Sequence, residues 1–189
     1  MKNVLKFIRT NIIVLISIVV CMIAAAFSAA DKTNRQRGYV SRLSYYLTYI
    51  ADEIEYITSR KPDNIDSAAF RVMGESLITV HAMQNECRYF VDHKLDSTDC
   101  FEFIYWVIYT GMGGKEAFIS DNVLSEDETA FLNMLRSDLN SLADELSRCE
   151  KRGIFVDIKA VNRLLYEFNE KYGMGHKAIE TYKSIFPQF

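Results

Sequence analysis

The residues of this chain that could do chemistry are three histidines, four cysteines and two clusters of carboxylates. His81 shares a helical stretch with Glu86, but a spacing of five turns the two onto different faces. Ligands on one helix face need a spacing of three or four. His93 falls near a helix end, where the dipole favours a cation, and His176 follows a glycine break. No histidine-centred metal site is expected. Cys21 lies in a hydrophobic run, which leaves Cys87, Cys100 and Cys149, an odd number with no Cys-x-x-Cys pair. That pattern is neither a disulfide framework nor a zinc module. Cys149 falls on an apolar stripe and reads as a small buried hydrophobe; a turn separates Cys87 from Cys100, and pairing between them stays open. The carboxylates Asp52, Glu53 and Glu55, and Asp121, Glu126, Asp127 and Glu128, could do acid–base work or bind calcium. The second group lacks the ligand spacing and glycine of an EF-hand, so a solvated face and helix-start acids account for both.

Two short patterns imitate catalytic motifs and fail on inspection. In Gly111-Met112-Gly113-Gly114-Lys115 a phosphate loop would need glycine where Tyr109 stands and Ser or Thr where Glu116 stands. Gly74-Glu75-Ser76 begins like a serine-nucleophile elbow, but Ile78 occupies the closing glycine position. No catalytic residue, cofactor or metal is therefore expected. The aromatics are less ordinary. Phe101, Phe103, Tyr105, Trp106 and Tyr109 fall within nine residues, and Tyr45, Tyr46, Tyr49 and Tyr56 crowd an earlier helix. Rings with polar tips suit interfaces as well as cores. The candidate interaction surface is Tyr45, Tyr49, Tyr105, Trp106 and Tyr109, sought in a groove between the first and third bundle helices.

The elements that must position these residues begin with a span. Residues 12–30 read IIVLISIVVCMIAAAFSAA, 19 residues without a charge. At 1.5 Å per residue they reach about 28 Å, close to the hydrocarbon thickness of a bilayer. The division expected is a cationic tail (1–11), a transmembrane anchor (12–30), a juxtamembrane stalk (31–38) and a helical domain (39–189). The stalk could equally be continuous helix. A cleaved signal peptide competes with the anchor, because Ala24-Ala25-Ala26 and Ser28-Ala29-Ala30 offer small residues after the apolar run. Cations flank both ends, Lys2, Lys6 and Arg9 against Lys32, Arg35, Arg37 and Arg42, so the positive-inside count nearly ties. The signal-like order then favours a carboxyl-terminal domain outside the cytoplasm, although an odd cysteine count pulls mildly the other way.

The remainder reads as all-α, an antiparallel bundle of five to six helices. Val40, Leu43, Leu47, Ile50, Ile54 and Ile57 recur every three or four residues, a seam no strand can produce. A second helix, from about Asn64 or Asp66 to His93, carries Phe70, Met73, Leu77, Val80 and Cys87, with Gln84 inside its seam. The third, capped near Asp96 or Ser97, is apolar almost all round and is expected to be central and covered. Ser125 and Glu128 form a capping box for the fourth, whose stripe is Phe131, Leu135, Leu139, Leu142 and Leu146. Asp157 caps the fifth, and a last helix aligns Ile179, Tyr182 and Phe186.

Charge narrows the partners. Leaving aside the three cations of residues 1–30, 19 of the 22 Lys and Arg face 25 Asp and Glu, a net −6. A mildly acidic domain lacks the phosphate-binding footprint of a nucleic-acid partner. The expectation is a membrane-tethered, non-enzymatic interaction module, a scaffold or accessory subunit bound to another membrane or envelope protein. Two alternatives are a small-molecule sensing module acting through a partner, since an 11-residue tail cannot be an output domain, and an anchored enzyme with a site of scattered carboxylates.

Overall fold

The computed structural model describes residues 2–59, 67–111, 116–118, 120, 123–151 and 156–183, the side chains of 2–13, 151, 176 and 179 lying outside that description. Within it the chain is all-α: α1 (Lys2–Ser59), α2 (Ser67–Phe90), α3 (Cys100–Tyr109), α4 (Glu126–Lys151), α5 (Ile158–Tyr172) and α6 (His176–Lys183). α1 is a single helix of 58 residues, roughly 87 Å long at 1.5 Å per residue. The stretch 31–38 is therefore helix. Nothing in it breaks one, since it has no proline, and Asp31 pairs with Arg35 one turn on at 3.1 Å. The Thr33 hydroxyl donates back to the Ala29 carbonyl at 2.9 Å. Every side chain from Val14 to Ala30 is exposed, and burial begins at Thr33 and Gln36, inside that stretch.

Local chemistry sets the helix ends. Glu128 accepts from the Ser125 backbone N–H at 2.8 Å, and the Ser125 hydroxyl accepts from the Glu128 N–H at 3.3 Å, a closed capping box. The Asp157 carboxylate accepts from the Ala160 N–H at 3.1 Å. α3 starts later than its sequence suggests. Its N-cap is Asp99, whose side chain caps nothing. Instead Asn169 of α5 accepts from the N–H groups of Asp99 and Cys100 at 3.3 and 3.0 Å. A cap supplied from 70 residues away leaves no local signal. Beyond its other end Gly111 takes φ 76°, the left-handed conformation that closes helices without a Cβ penalty.

The helices form a ring in which neighbours run α1–α2–α3–α5–α4 and back to α1, with α6 packed on α5. Specific contacts give their directions. The carboxyl-terminal end of α2 returns to the start of the α1 seam, where Gln36 meets Asp92. α3 rises again to place Tyr109 against Phe70. α4 descends from the Arg136–Glu55 pair at the far end of α1, and α5 climbs until Tyr172 meets Asp138. Inside, Val40, Leu43, Leu47, Ile50 and Ile54 are fully buried together with Leu132, Leu135, Leu139 and Leu146 of α4. A second, aromatic part of the core joins Phe101 to Phe168, Phe103 to Tyr182 and Phe131 to Phe118, Tyr172 and Tyr182. Phe118 comes from the long loop after α3, and its N–H donates to the Ile108 carbonyl at 3.0 Å. The expected alignment of Ile179 and Phe186 falls on side chains outside the described residues.

Candidate interaction surfaces

The groups able to do chemistry are mostly absorbed by the fold. Cys87, Cys100 and Cys149 are buried and none is in a disulfide, so Cys87 and Cys100 do not pair. Burial pushes the Cys100 thiol up to about 12 and raises Cys87 as well, which keeps both protonated and poor as nucleophiles. His81 bonds Asn85 at 2.8 Å and approaches Glu102 of α3 at 3.6 Å, an inter-helix strut. Glu55 pairs with Arg136 at 2.8 Å across α1 and α4, and Glu128 belongs to its capping box. Asp121 lies outside the described residues. Among the described residues no three histidines, cysteines or carboxylates gather as metal ligands would.

The five aromatics of the candidate surface fall in two places. α1 and α3 do not touch, because α2 stands between them, and the groove sought there is absent among the described residues. On α1, Tyr45 and Tyr49 stack one turn apart, centroids 6.1 Å and planes 6° apart, with Tyr46 edge-on to Tyr45. Tyr45 is 64% exposed. Burial of its ring and the nearby Glu53 carboxylate push the Tyr49 hydroxyl up. On α3, Tyr105 and Tyr109 stack at 4.7 Å. Tyr109 is structural: its hydroxyl donates to the Phe70 carbonyl, and its ring lies against Gly74, where an added Cβ would come within 2.9 Å. Trp106 is 38% exposed. The central, covered position expected for this helix is therefore not what the ring provides. Six of its ten residues are buried against α2, α5 and, through Phe103, Tyr182 of α6, but its Trp106 side faces out. The net hydrophobicity of a ten-residue helix could not reveal which neighbours it meets.

Sequence reasoning passed over the end of the bundle that adjoins the apolar half of α1. There Asp92, just past α2, is buried and organises the junction. It accepts from the Gln36 amide at 2.6 Å and the Lys94 N–H at 3.2 Å, and pairs with Lys32 at 3.0 Å and His93 at 3.3 Å. Burial alone would raise this carboxyl, but Lys32, the Lys94 N–H and Gln36 outweigh it and hold the group below its ordinary value. Asn162 of α5 ties in by donating to the Lys94 carbonyl at 2.8 Å and accepting from the Asp96 N–H at 3.2 Å. Beside this hub, a groove of about 460 Å³ opens between α1 and the last turns of α2. The signal available in the sequence was a glycine, Gly38, flanked at helical spacing by Arg35 and Arg42. Scans against family models, curated proteins and solved structures find no match to this chain.

Proposed function

We propose that the chain is a membrane-tethered, non-enzymatic helical module that presents a fixed surface to another membrane or envelope protein. The observation that carries this reading is the continuity of α1. Its stretch from Val14 to Ala30 is exposed and apolar, the helix being long and apolar enough to cross a membrane, and its second half is the seam helix of the bundle. A span that enters a domain without a hinge holds that domain at a set height and orientation. The stacked Tyr45–Tyr49 pair sits on the outward side of this same helix, about 22 Å beyond Ala30 by helical rise. Stiff amphipathic rings lose little entropy on docking, which suits them as contact anchors. The signal-like order of cationic tail and apolar run favours a domain outside the cytoplasm.

The test is a photo-crosslinking residue at Tyr45 in the full chain, with the exposed Tyr166 of α5 as control. Adducts to one membrane or envelope protein at Tyr45 and not at Tyr166 are expected. No adduct at either position, or the same diffuse pattern at both, overturns the reading. Protease added outside intact cells is expected to digest residues 31–189; protection would reverse the orientation and leave the tether standing.

A further inference from the structure

The groove between α1 and α2 has the features of a built site. Asn34, Arg35, Gly38 and Arg42 form one wall, and Glu86 and Phe90 of α2 stand on the other. Gly38 makes the room: a Cβ added there would meet nothing within 4 Å. Tyr39 lines the same groove at 5% exposure, its hydroxyl closed to solvent. The neighbouring Cys87 thiol donates to the Gln84 carbonyl at 3.0 Å.

Position and charge say which ligand. Arg35 lies five residues past Ala30, about 7 Å along the axis, which is headgroup depth when residues 12–30 fill the hydrocarbon. Helical side chains lean toward the amino terminus, so Arg42 reaches down from one turn above Gly38. Arg42 has no ion pair among the described residues, and the Arg35–Asp31 pair is exposed on both sides and easily exchanged. With Asp31 exchanged away from Arg35, the groove lining offers two guanidinium groups and the Glu86 carboxylate, which match a phosphate joined to an ammonium better than they match an anion alone. Phe90, 67% exposed at the mouth, and Phe27, 73% exposed toward the span, are where acyl chains would lie. We propose that this groove holds the headgroup of an ethanolamine-type phospholipid, with its phosphate between Arg35 and Arg42 and its ammonium on Glu86.

This rests on the tether reading, and the experiment separates the two. The full chain is first washed with alkaline carbonate; release from membranes would sink the tether itself. The retained protein is placed in nanodiscs of equal phosphatidylethanolamine, phosphatidylglycerol and phosphatidylcholine, then analysed by native mass spectrometry. One retained phosphatidylethanolamine per chain is expected. Arg42→Gln and Glu86→Gln should each lower that retention about tenfold, as loss of one charge-assisted contact implies. Gly38→Leu should abolish retention while leaving the melting temperature at or above that of the parent, which separates a filled groove from a damaged fold. Equal retention of all three lipids, or a preference for phosphatidylglycerol that ignores Glu86→Gln, overturns the proposal with the tether intact.

Discussion

The two halves of α1 are built on one backbone and obey opposite rules. From Val14 to Ala30 every side chain is exposed and nearly every one is apolar. From Thr33 to Ile57 burial follows a seam of Val40, Leu43, Leu47, Ile50 and Ile54, with charges and tyrosines between. A helix apolar all round needs an apolar surrounding, whereas a striped helix needs a neighbour on one side and water on the other. The boundary between those demands lies at residues 31–36, where Lys32 and Gln36 turn to Asp92. The lesson is that continuity of backbone is no guide to continuity of environment, and that a buried carboxylate can mark the change.

A charge placed in each half breaks the comparison most severely. Leu47 is fully buried, and Leu47→Asp strands a carboxylate in the α1–α4 core. It is expected to cost about 4 kcal/mol or more of bundle stability, measured as loss of the cooperative far-ultraviolet melt. Leu15 is 64% exposed, so Leu15→Asp should leave that melt unchanged. It should instead impede insertion, because a carboxylate within a span costs roughly 2.5–3.5 kcal/mol. If both substitutions unfolded the bundle, the apolar half would be part of the core.

Much of this division was legible in the sequence. The 3,4 spacing gave the seam, the uncharged run gave the exposed apolar stretch of α1, and Ser125, Glu128 and Asp157 marked helix starts that the hydrogen bonds bear out. What stayed hidden depends on contacts between distant residues. Asn169 caps α3, α2 separates the tyrosines of α1 from those of α3, and Asp92 reads as an ordinary acid after a helix until Lys32 and Gln36 reach it. The aromatics of the candidate surface lie on two separate helices and not along one groove, because periodicity assigns a face to a helix but not a neighbour to that face.

The junction is the next place to press. Asp92→Ala leaves the Gln36 amide and the Lys94 N–H without their acceptor, and a loss of about 2–3 kcal/mol is expected in chemical denaturation. The pH dependence follows from the lowered carboxyl. Its stabilising contribution is complete above the ordinary aspartate value of 3.8 and is lost as pH falls below that, through the still lower folded value. Wild type should therefore lose stability more steeply in that acid range than Asp92→Asn. Parallel acid profiles for the two proteins would mean that Asp92 carries no net charge contribution.

The smallest effects come from two glycines that look alike in sequence, each inside a helix. Gly74 is in contact: an added methyl would lie 2.9 Å from the Tyr109 ring, which is held by its hydroxyl bond to Phe70 and its stack on Tyr105. Gly74→Ala should cost about 1–3 kcal/mol, since the ring cannot withdraw without giving up those contacts. Gly38 stands at the junction with open space around it. There alanine meets no atom and removes backbone freedom from the unfolded chain, so Gly38→Ala should stabilise by roughly 0.5–1 kcal/mol. A glycine kept where alanine would be more stable is a position whose space serves something other than folding. Were Gly38→Ala to destabilise the bundle, the space beside α1 would already be occupied in the folded protein, and the contrast between the two glycines would vanish.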